Sequence, residues 1–315
     1  MDKHIVTQLK LKINKIYSKK RGVSPVLATV IIFGLIITGV MITYVQVVPY
    51  IQQAQSEEAI TTTSNSFLEL DTAIKSLISE SGTPGGFRTV IFNKPAGRIE
   101  YDPFRYYYRL RLLDQNENLV YNILEEIADE KESGSNGFLP IGVLDWIYNS
   151  PQAVIPRGTT KYLTGPDPYK IRDPVFLTGA FSSTDYLDLT NLTLSHLDDR
   201  RHHIALNYRM SIYLTISTQP EPEIRFEIFL ILISADFEAI RSQYEHVTIH
   251  SQNTYSVPYT LSKNESIGDI ELVWDDFKSA TTTSLWSTHT IQGFNLKYFN
   301  IVVQTLVYEV GLSTS

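Results

Sequence analysis

Residues 19–48, KKRGVSPVLATVIIFGLIITGVMITYVQVV, decide the architecture of the chain. The 23 residues from Val26 to Val48 carry no charge. At about 1.5 Å rise per residue, a helix of that length crosses the roughly 30 Å hydrocarbon core of a bilayer. A secretory signal has a shorter apolar core, of about 7 to 15 residues, followed by a small-residue cleavage site. Here Pro49, Tyr50 and a polar helical pattern follow instead. The stretch therefore predicts a membrane-spanning helix.

The charges on either side of this stretch predict its orientation. Lys19, Lys20 and Arg21 precede it, and the first charges after it are Glu57 and Glu58. Because basic residues stay on the cytoplasmic side of membrane helices, we expect the N-terminus in the cytoplasm. Residues beyond about position 50 are then expected outside the cell.

The overall composition excludes several classes of function. The chain has 315 residues and a net charge of -7, but residues 1–22 hold 7 of the 27 basic residues and one of the 34 acidic ones. The rest of the chain is therefore strongly acidic and lacks the clustered Lys and Arg that bind nucleic acid. The absence of cysteine excludes disulfides, thiolate zinc sites and cysteine nucleophiles.

The junction between the basic segment and the apolar helix is similar to a known processing signal. The order "KKRG" followed by "VSPVLATVIIFGLIITGV" resembles the class III signal peptide of archaeal type IV pilins, archaellins and their relatives. The resemblance implies that a prepilin peptidase cuts between Gly22 and Val23, and that the helix stays with the mature protein. Leu27 occupies the fifth mature position, where bacterial pilins usually have glutamate, so the resemblance is to the archaeal branch. An uncleaved signal anchor is the alternative.

The same resemblance implies how the mature protein would assemble. Pilin-like subunits pack their N-terminal helices together in a filament core, and the partners would be other pilin-like subunits. The apolar residues expected to carry this assembly are Val26, Leu27, Val30, Ile31, Phe33, Leu35 and Ile36.

Beyond the apolar stretch, the sequence predicts that the helix continues as an amphipathic stalk. Phe67, Leu70, Ile74 and either Leu77 or Ile78 recur at helical spacing, and Gly82 supplies a stop. The predicted organisation is a cytoplasmic leader over 1–22, a helix over 23–81 and an extracellular β-rich domain over 82–315.

Period-two patterns predict strands throughout this extracellular domain. "RTVIFN" and "GRIEYD" read as a hairpin around "KPAG". Apolar residues alternate from Ile204 to Ile216 and again from Ile224 to Leu232, which predicts a second hairpin of two long strands. Residues 129–200 are rich in proline and glycine and are expected to form an irregular insertion. The predicted fold class is α+β, with a long N-terminal helix before an antiparallel, sandwich-like head.

No enzyme motif stands out in the sequence, and no catalytic residue or cofactor is predicted. The best candidate for a metal site is "HLDDRRHH", which groups His196, Asp198, His202 and His203. Arg200 and Arg201 would repel a cation there, so a solvated loop is the favoured interpretation over a metal site or an anchored hydrolase.

Two further surface features are candidates for interaction. Asn191 and Asn264 begin Asn-x-Ser/Thr sequons that the expected topology places outside the cell. Tyr106–Tyr108, together with Arg105, Arg109 and Arg111, fit either an adhesive face for glycans or cross-strand packing within a sheet.

Together these features predict a pilin-like structural subunit of an archaeal cell-surface filament. It would be a single-pass membrane protein before assembly and part of an extracellular filament afterwards. A head of this size favours a minor or adhesive subunit over a major one. The alternative is a membrane-anchored extracellular binding protein that keeps its leader and does not polymerise.

Overall fold

A computed structural model describes residues 25–80, 86–114, 119–125, 127, 138–164, 175–178, 189–198, 201–217, 220–261, 267–276, 281–286 and 300–314. The chain forms two compact units, Met1–Ala54 and Gln55–Ser315, of which we call the second the head. It has a long N-terminal apolar helix followed by antiparallel-rich β-sheets, which confirms the predicted fold class.

The helix α1, Pro25–Glu80, is continuous through Pro49. The hydroxyls of Thr29, Thr38 and Thr43 donate to the main-chain carbonyls four residues earlier, at 2.7–2.8 Å. These local bonds satisfy the hydroxyl donors without a partner from outside the helix. Residues 55–80 of α1 belong to the head, so the predicted stalk is a component of the head's own core.

The first sheet of the head, sheet A, contains six strands. In spatial order they are β1 (Phe87–Asn93), β12 (Tyr244–Leu261), β15 (Asn300–Thr314), β10 (Glu223–Ala235), β9 (Ser211–Ser217) and β6 (Val175–Thr178). The β10–β15 and β6–β9 pairs are parallel, and the other pairs are antiparallel. Sheet A is thus mixed, within a head whose other described strand pairs are antiparallel.

The second sheet, sheet B, contains nine strands. Seven follow the order β14 (Thr281–Trp286), β13 (Ile267–Asp276), β2 (Arg98–Asp114), β4 (Leu139–Asn149), β8 (Arg201–Tyr208), β7 (Thr190–Asp198) and β5 (Thr160–Thr164). Two short strands, β3 (Leu119–Asn122) and β11 (Ala239–Ile240), also pair with β2.

The core of the head has two parts. In the first, the apolar stripe of α1 contributes Phe67, Leu70 and Ile74, all fully buried, among side chains from both sheets. Phe67 meets Phe92 of β1 edge to face, with ring centroids 5.1 Å apart. In the second part, inward side chains of sheets A and B pack without the helix. Each such large apolar side chain stabilises the fold by about 1.5–3 kcal/mol.

The two strands predicted as one, from Ile204 to Ile216, lie in different sheets. β8 belongs to sheet B and β9 to sheet A, and the chain crosses between them at Arg209 and Met210. The Arg209 N–H donates to Leu189 O at 2.8 Å, which fixes the crossing. The prediction of a single strand was wrong because inward residues keep alternating when a chain passes from one layer of a sandwich to the other. The β9–β10 hairpin itself forms as predicted.

The hairpin predicted around "KPAG" was also wrong. β1 and β2 are strands, but β1 pairs with β12 in sheet A and β2 pairs with β4 and β13 in sheet B. Gly97, with φ of +81°, turns the chain between the layers, and the indole N–H of Trp146 donates to Ala96 O at 2.9 Å. The prediction of a turn at these residues was correct, but the turn joins strands of two different sheets and not two paired strands.

The region 129–200 requires a correction as well. Its described parts include β4, β5, β6 and β7, which take ordinary places in the two sheets. The prolines that suggested irregular structure lie partly in loops, such as Pro151 and Pro156, while Pro140 sits within β4.

Candidate functional site

The apolar surface of α1 is the first candidate functional site. All seven residues predicted to carry assembly are more than half exposed, from 51% at Ile31 to 73% at Val26. They point in every direction around the helix, because their spacing covers more than one face. A fully apolar helix surface of this kind requires lipid or protein around it. By length and composition, α1 is the one helix among the described residues that is able to cross a membrane.

The predicted processing site lies outside the described residues. Gly22 and Val23, with Lys19, Lys20 and Arg21 before them, precede the first described residue, Pro25. The cleavage and the role of the basic residues therefore stay predictions.

The histidines of "HLDDRRHH" are built into a β-hairpin. His196 on β7 and His202 on β8 pair across the hairpin, with 2% and 0% of their surface exposed. Their rings stack in parallel, with centroids 4.5 Å apart and planes 3° from parallel. The expectation of a solvated loop is therefore wrong for these two residues.

Each of the two imidazoles holds the loop between β4 and β5. The Val154 N–H donates to His202 Nε2 at 3.3 Å, and His196 Nδ1 donates to Ile155 O at 2.8 Å. Burial, followed by the nearby His196 and His203, lowers the pKa of His202 to about 4. His202 is thus arranged as a neutral hydrogen-bond acceptor, and His196 as a donor through Nδ1.

The other members of the predicted metal cluster do not join this pair. Asp198 lies opposite Arg201 at the end of the hairpin, and His203 lies opposite Ile147 and Ser195. Within the part of the chain that the structure describes, no three His, Cys, Asp or Glu side chains are grouped to hold a metal ion. Asp199 and Arg200 lie outside the described residues.

Asp71 of α1 is the centre of a second buried polar cluster, which the sequence analysis missed. Its Oδ1 accepts hydrogen bonds from Thr190 Oγ1 at 2.7 Å and from the Tyr208 hydroxyl at 2.9 Å. Its Oδ2 pairs with Lys75 Nζ at 2.7 Å. Burial and the neighbouring Asp71 raise the pKa of Tyr208 well above its usual value. The cluster holds one helical turn of α1 against β7 and β8. In the sequence, the spacing of Asp71 and Lys75 at i, i+4 was the feature that could have indicated it.

The tyrosine and arginine residues of β2 lie on two sides of sheet B. Tyr108 is buried in the second part of the core, whereas Tyr107 and Arg109 are half-buried on the other face. The Arg109 guanidinium lies 4.1 Å from the centroid of the Phe138 ring, and Tyr107 meets the same ring edge to face. Arg105 lies over Tyr106 in the same way, at 5.6 Å. These contacts fit the interpretation of cross-strand packing.

The two glycosylation sequons differ in what the structure says of them. Asn191 is 5% exposed within β7, opposite Asn207 of β8. A buried amide in a strand is not accessible to a glycosyltransferase in the folded head, so the structure opposes this site. Asn264 lies outside the described residues, and its modification stays a prediction.

Comparison with known proteins adds no relative. No family model, no curated protein and no solved structure matches this chain.

Proposed function

We propose that this chain is a pilin-like structural subunit of an archaeal cell-surface filament. The observation that supports the proposal best is the apolar surface of α1 up to Ile51, which is exposed on all sides. Before assembly, lipid would cover this surface, and after assembly the same surface would pack against α1 of neighbouring subunits. The mature helix would begin near Val23, after removal of the basic leader.

The internal hydrogen bonds of α1 support a helix that changes environment. Thr29, Thr38 and Thr43 direct their hydroxyls to the helix's own carbonyls, so neither lipid nor a neighbouring helix has to supply a polar partner. An added Cβ at Gly34 or Gly39 would meet nothing within 4 Å, which leaves room for close approach of another helix.

The head supports an extracellular structural role. Its core is large, its chain contains no cysteine, and its stability rests on packing and on the Asp71 cluster. We infer that the head is displayed outside the cell and that it suits a minor or adhesive subunit better than a major one. The prepilin peptidase and the assembly motor would be separate proteins.

N-terminal sequencing of material sheared from cells tests this proposal. We expect sheared protein to begin at Val23. Replacing Gly22 with a bulky residue, as in Gly22→Leu, should leave the leader attached and retain the protein in the membrane fraction. The control is Glu69→Ala, which changes an exposed residue of α1 within the head and should leave both cleavage and release unchanged.

The opposite outcome defines the alternative function. Protein that keeps Met1 and is extracted only as single molecules in detergent would be a membrane-anchored binding protein. The half-buried surface around Tyr107 and Arg109 would then be the first place to seek a ligand.

A further inference from the structure

The middle of the β4–β5 loop, Ser150–Thr159, is held to the head by imidazole nitrogens. His202 Nε2 accepts the Val154 N–H, and His196 Nδ1 donates to the carbonyl of Ile155, the next residue. The side chains of Val154 and Ile155 pack against the first part of the core. The position of these two residues therefore depends on the buried histidine pair.

Both ends of this loop are held by groups that do not titrate. At one end the Ser150 hydroxyl donates to Ser56 Oγ of α1 at 2.7 Å. At the other end the Gly158 N–H donates to His196 O at 2.9 Å, and the His196 N–H donates to Thr159 O at 3.1 Å. Gly158, with φ of +71°, provides a natural bend beside these bonds. Next to the two ends, the Gln152 N–H donates to Ser150 Oγ at 3.2 Å and the Thr159 N–H donates to Pro156 O at 3.2 Å. These bonds join residues of the loop to each other, so residues 151–157 are able to move outward while both ends remain attached.

The surroundings of His202 do not stabilise a second proton on its ring. Since Nε2 accepts the Val154 N–H, the hydrogen of the neutral ring is on Nδ1. A second proton would go to Nε2, and two donors would then face each other. The remaining nitrogens, His196 Nε2 and His202 Nδ1, are buried and make no hydrogen bond. A cation in this stack would lack both solvent and a compensating hydrogen bond.

Among the residues that the structure describes, the side chains that face His202 directly carry no negative charge. From β7 it faces His196, from β4 its register partner is Tyr148, and on β8 its neighbour is His203. The charged residues of β4, β5, β7, β8 and the loop are Asp145, Arg157, Lys161, Asp198 and Arg201, and the nearby part of α1 adds Glu57 and Glu58. Asp145 lies on the face of β4 opposite to Tyr148, and Lys161 is exposed. Glu57, Glu58, Arg157 and Arg201 are exposed, and Asp198 lies opposite Arg201. Acidification therefore weakens the contact between His202 and the loop.

We propose that residues 151–157 form an acid-released flap, which the stacked His196–His202 pair, with His202 unprotonated, holds onto the head at neutral pH. Protonation of His202 removes the acceptor for the Val154 N–H and makes burial of the charged ring unfavourable. When the flap opens, water reaches both the Val154 N–H and the imidazolium, so opening becomes more favourable. The open flap exposes the apolar side chains of Val154 and Ile155 together with the two imidazoles. This inference concerns the head alone and does not depend on the filament proposal.

The structure also bounds the pH at which the flap should open. In the closed state the pKa of His202 is about 4, and an exposed histidine has a pKa of about 6.5. The midpoint of opening therefore lies between these two values, at a position set by the free energy of opening the flap at neutral pH.

Hydrogen–deuterium exchange on the full chain in detergent micelles tests the flap directly. Exchange should be measured from pH 7 to 3.5 and corrected for the intrinsic effect of pH on amide exchange. We expect a peptide covering residues 150–158 to lose at least tenfold protection with a midpoint between pH 4 and 6.5. Peptides from β10 and β15 should keep their protection over the same range, because the opening is local.

Three variants separate the latch from a general effect of acid. His202→Gln keeps a side-chain acceptor for Val154 but does not titrate, so its flap should stay protected down to pH 4. His202→Phe keeps a ring but has no acceptor, so its flap should exchange fast already at pH 7. His203→Gln is the matched control, since it removes the adjacent histidine. Its flap should still open in acid. The midpoint should lie at a slightly higher pH, because His203 lowers the pKa of His202 in the wild type.

Two results would overturn the proposal. One is a wild-type flap that stays protected to pH 3.5 while the head is folded. The other is loss of flap protection only together with β10 and β15, since that would be global unfolding. If His202→Phe does not fold, the comparison of wild type with His202→Gln still decides the matter.

Discussion

Replacing Asp71 with alanine should destabilise the head more than any other single change to a charged residue of α1. The carboxylate is 3% exposed and accepts hydrogen bonds from Thr190 and Tyr208 while it pairs with Lys75. Removal leaves two buried hydroxyls without their acceptor and a largely buried ammonium without its partner. Breaking a buried ion pair by removing one member costs about 3–5 kcal/mol. Because Lys75 retains 13% side-chain exposure and some access to water, we expect about 3 kcal/mol.

Urea unfolding of the full chain in detergent micelles measures this loss, with the fluorescence of buried Trp146 as one probe. Tyr208→Phe removes one of the two hydroxyl donors and should cost about 1.5 kcal/mol. The double variant should lose less than the sum of the two single losses, by about 1 kcal/mol or more, since Asp71→Ala alone strands the Tyr208 hydroxyl. Glu69→Ala, an exposed acid on the same helix, is the control and should change stability by no more than about 0.5 kcal/mol.

The reasoning fails if Asp71→Ala loses less than about 1 kcal/mol, a cost typical of an ordinary surface change. It also fails if the losses of Asp71→Ala and Tyr208→Phe simply add. Additive losses would mean that the carboxylate and the phenol act independently despite their 2.9 Å contact.

Three further predictions follow from other parts of the head. Gly97→Ala should lower the free energy of unfolding, measured with urea, by about 2–4 kcal/mol, because the added Cβ would lie 2.5 Å from Trp146 Nε1 at a positive φ. In Gly158→Ala the added Cβ meets no atom, so the loss should be about 1 kcal/mol. Equal losses for the two variants would contradict this prediction. The pKa of His202 is lower in the folded head than the unfolded value of about 6.5, so the unfolded state binds more protons in acid. The free energy of unfolding of the wild type should therefore fall as the pH drops from 6.5 to 4. This fall should exceed that of His202→Gln by up to about 3 kcal/mol. Above pH 6.5 the two should respond alike, and parallel curves throughout would refute the assignment. Mass spectrometry of the protein isolated from its own cells should find any N-linked glycan at Asn264, and a glycan on buried Asn191 would contradict the placement of β7.

The helix and the presence of strands were predictable because both depend on local patterns. An uncharged run of 23 residues admits few structures, and the Phe67, Leu70 and Ile74 stripe marks the side of α1 that is buried in the head. Alternation likewise marked inward-facing residues of β9 and of the first half of β10, among them Ile212, Ile224 and Phe226. These signals arise from the periods of helices and strands and need no information from distant parts of the chain.

The assignment of strands to sheets was not predictable in the same way. A sandwich has one core with two layers, and a residue that points inward shows the same apolar preference in either layer. The passage at Arg209 from sheet B to sheet A and the turn at Gly97 therefore left no mark in the apolar pattern. Parallel pairing of β10 with β15 joins segments far apart in the sequence, which local alternation does not report.

The polar clusters were harder still to recognise from the sequence. His196 and His202 stand in a stretch of eight residues of which seven are charged or histidine, which reads as solvated, yet strand pairing brings the two rings together inside the head. Asp71 interrupts an apolar stripe, and its hydroxyl partners come from strands more than a hundred residues away. Contacts of that range are a property of the completed fold.

The location of β15 has a consequence for the biosynthesis of the head. This strand lies between β10 and β12 and bonds to both along most of its length. Until residues 300–314 are released, a nascent chain must therefore hold two long strands, β10 and β12, with unpaired inner edges, which are prone to pair with strands of other chains. A chaperone that binds the incomplete head would have its greatest effect in that interval, and a premature stop codon shortly before position 300 would yield an aggregating product instead of a shortened working one.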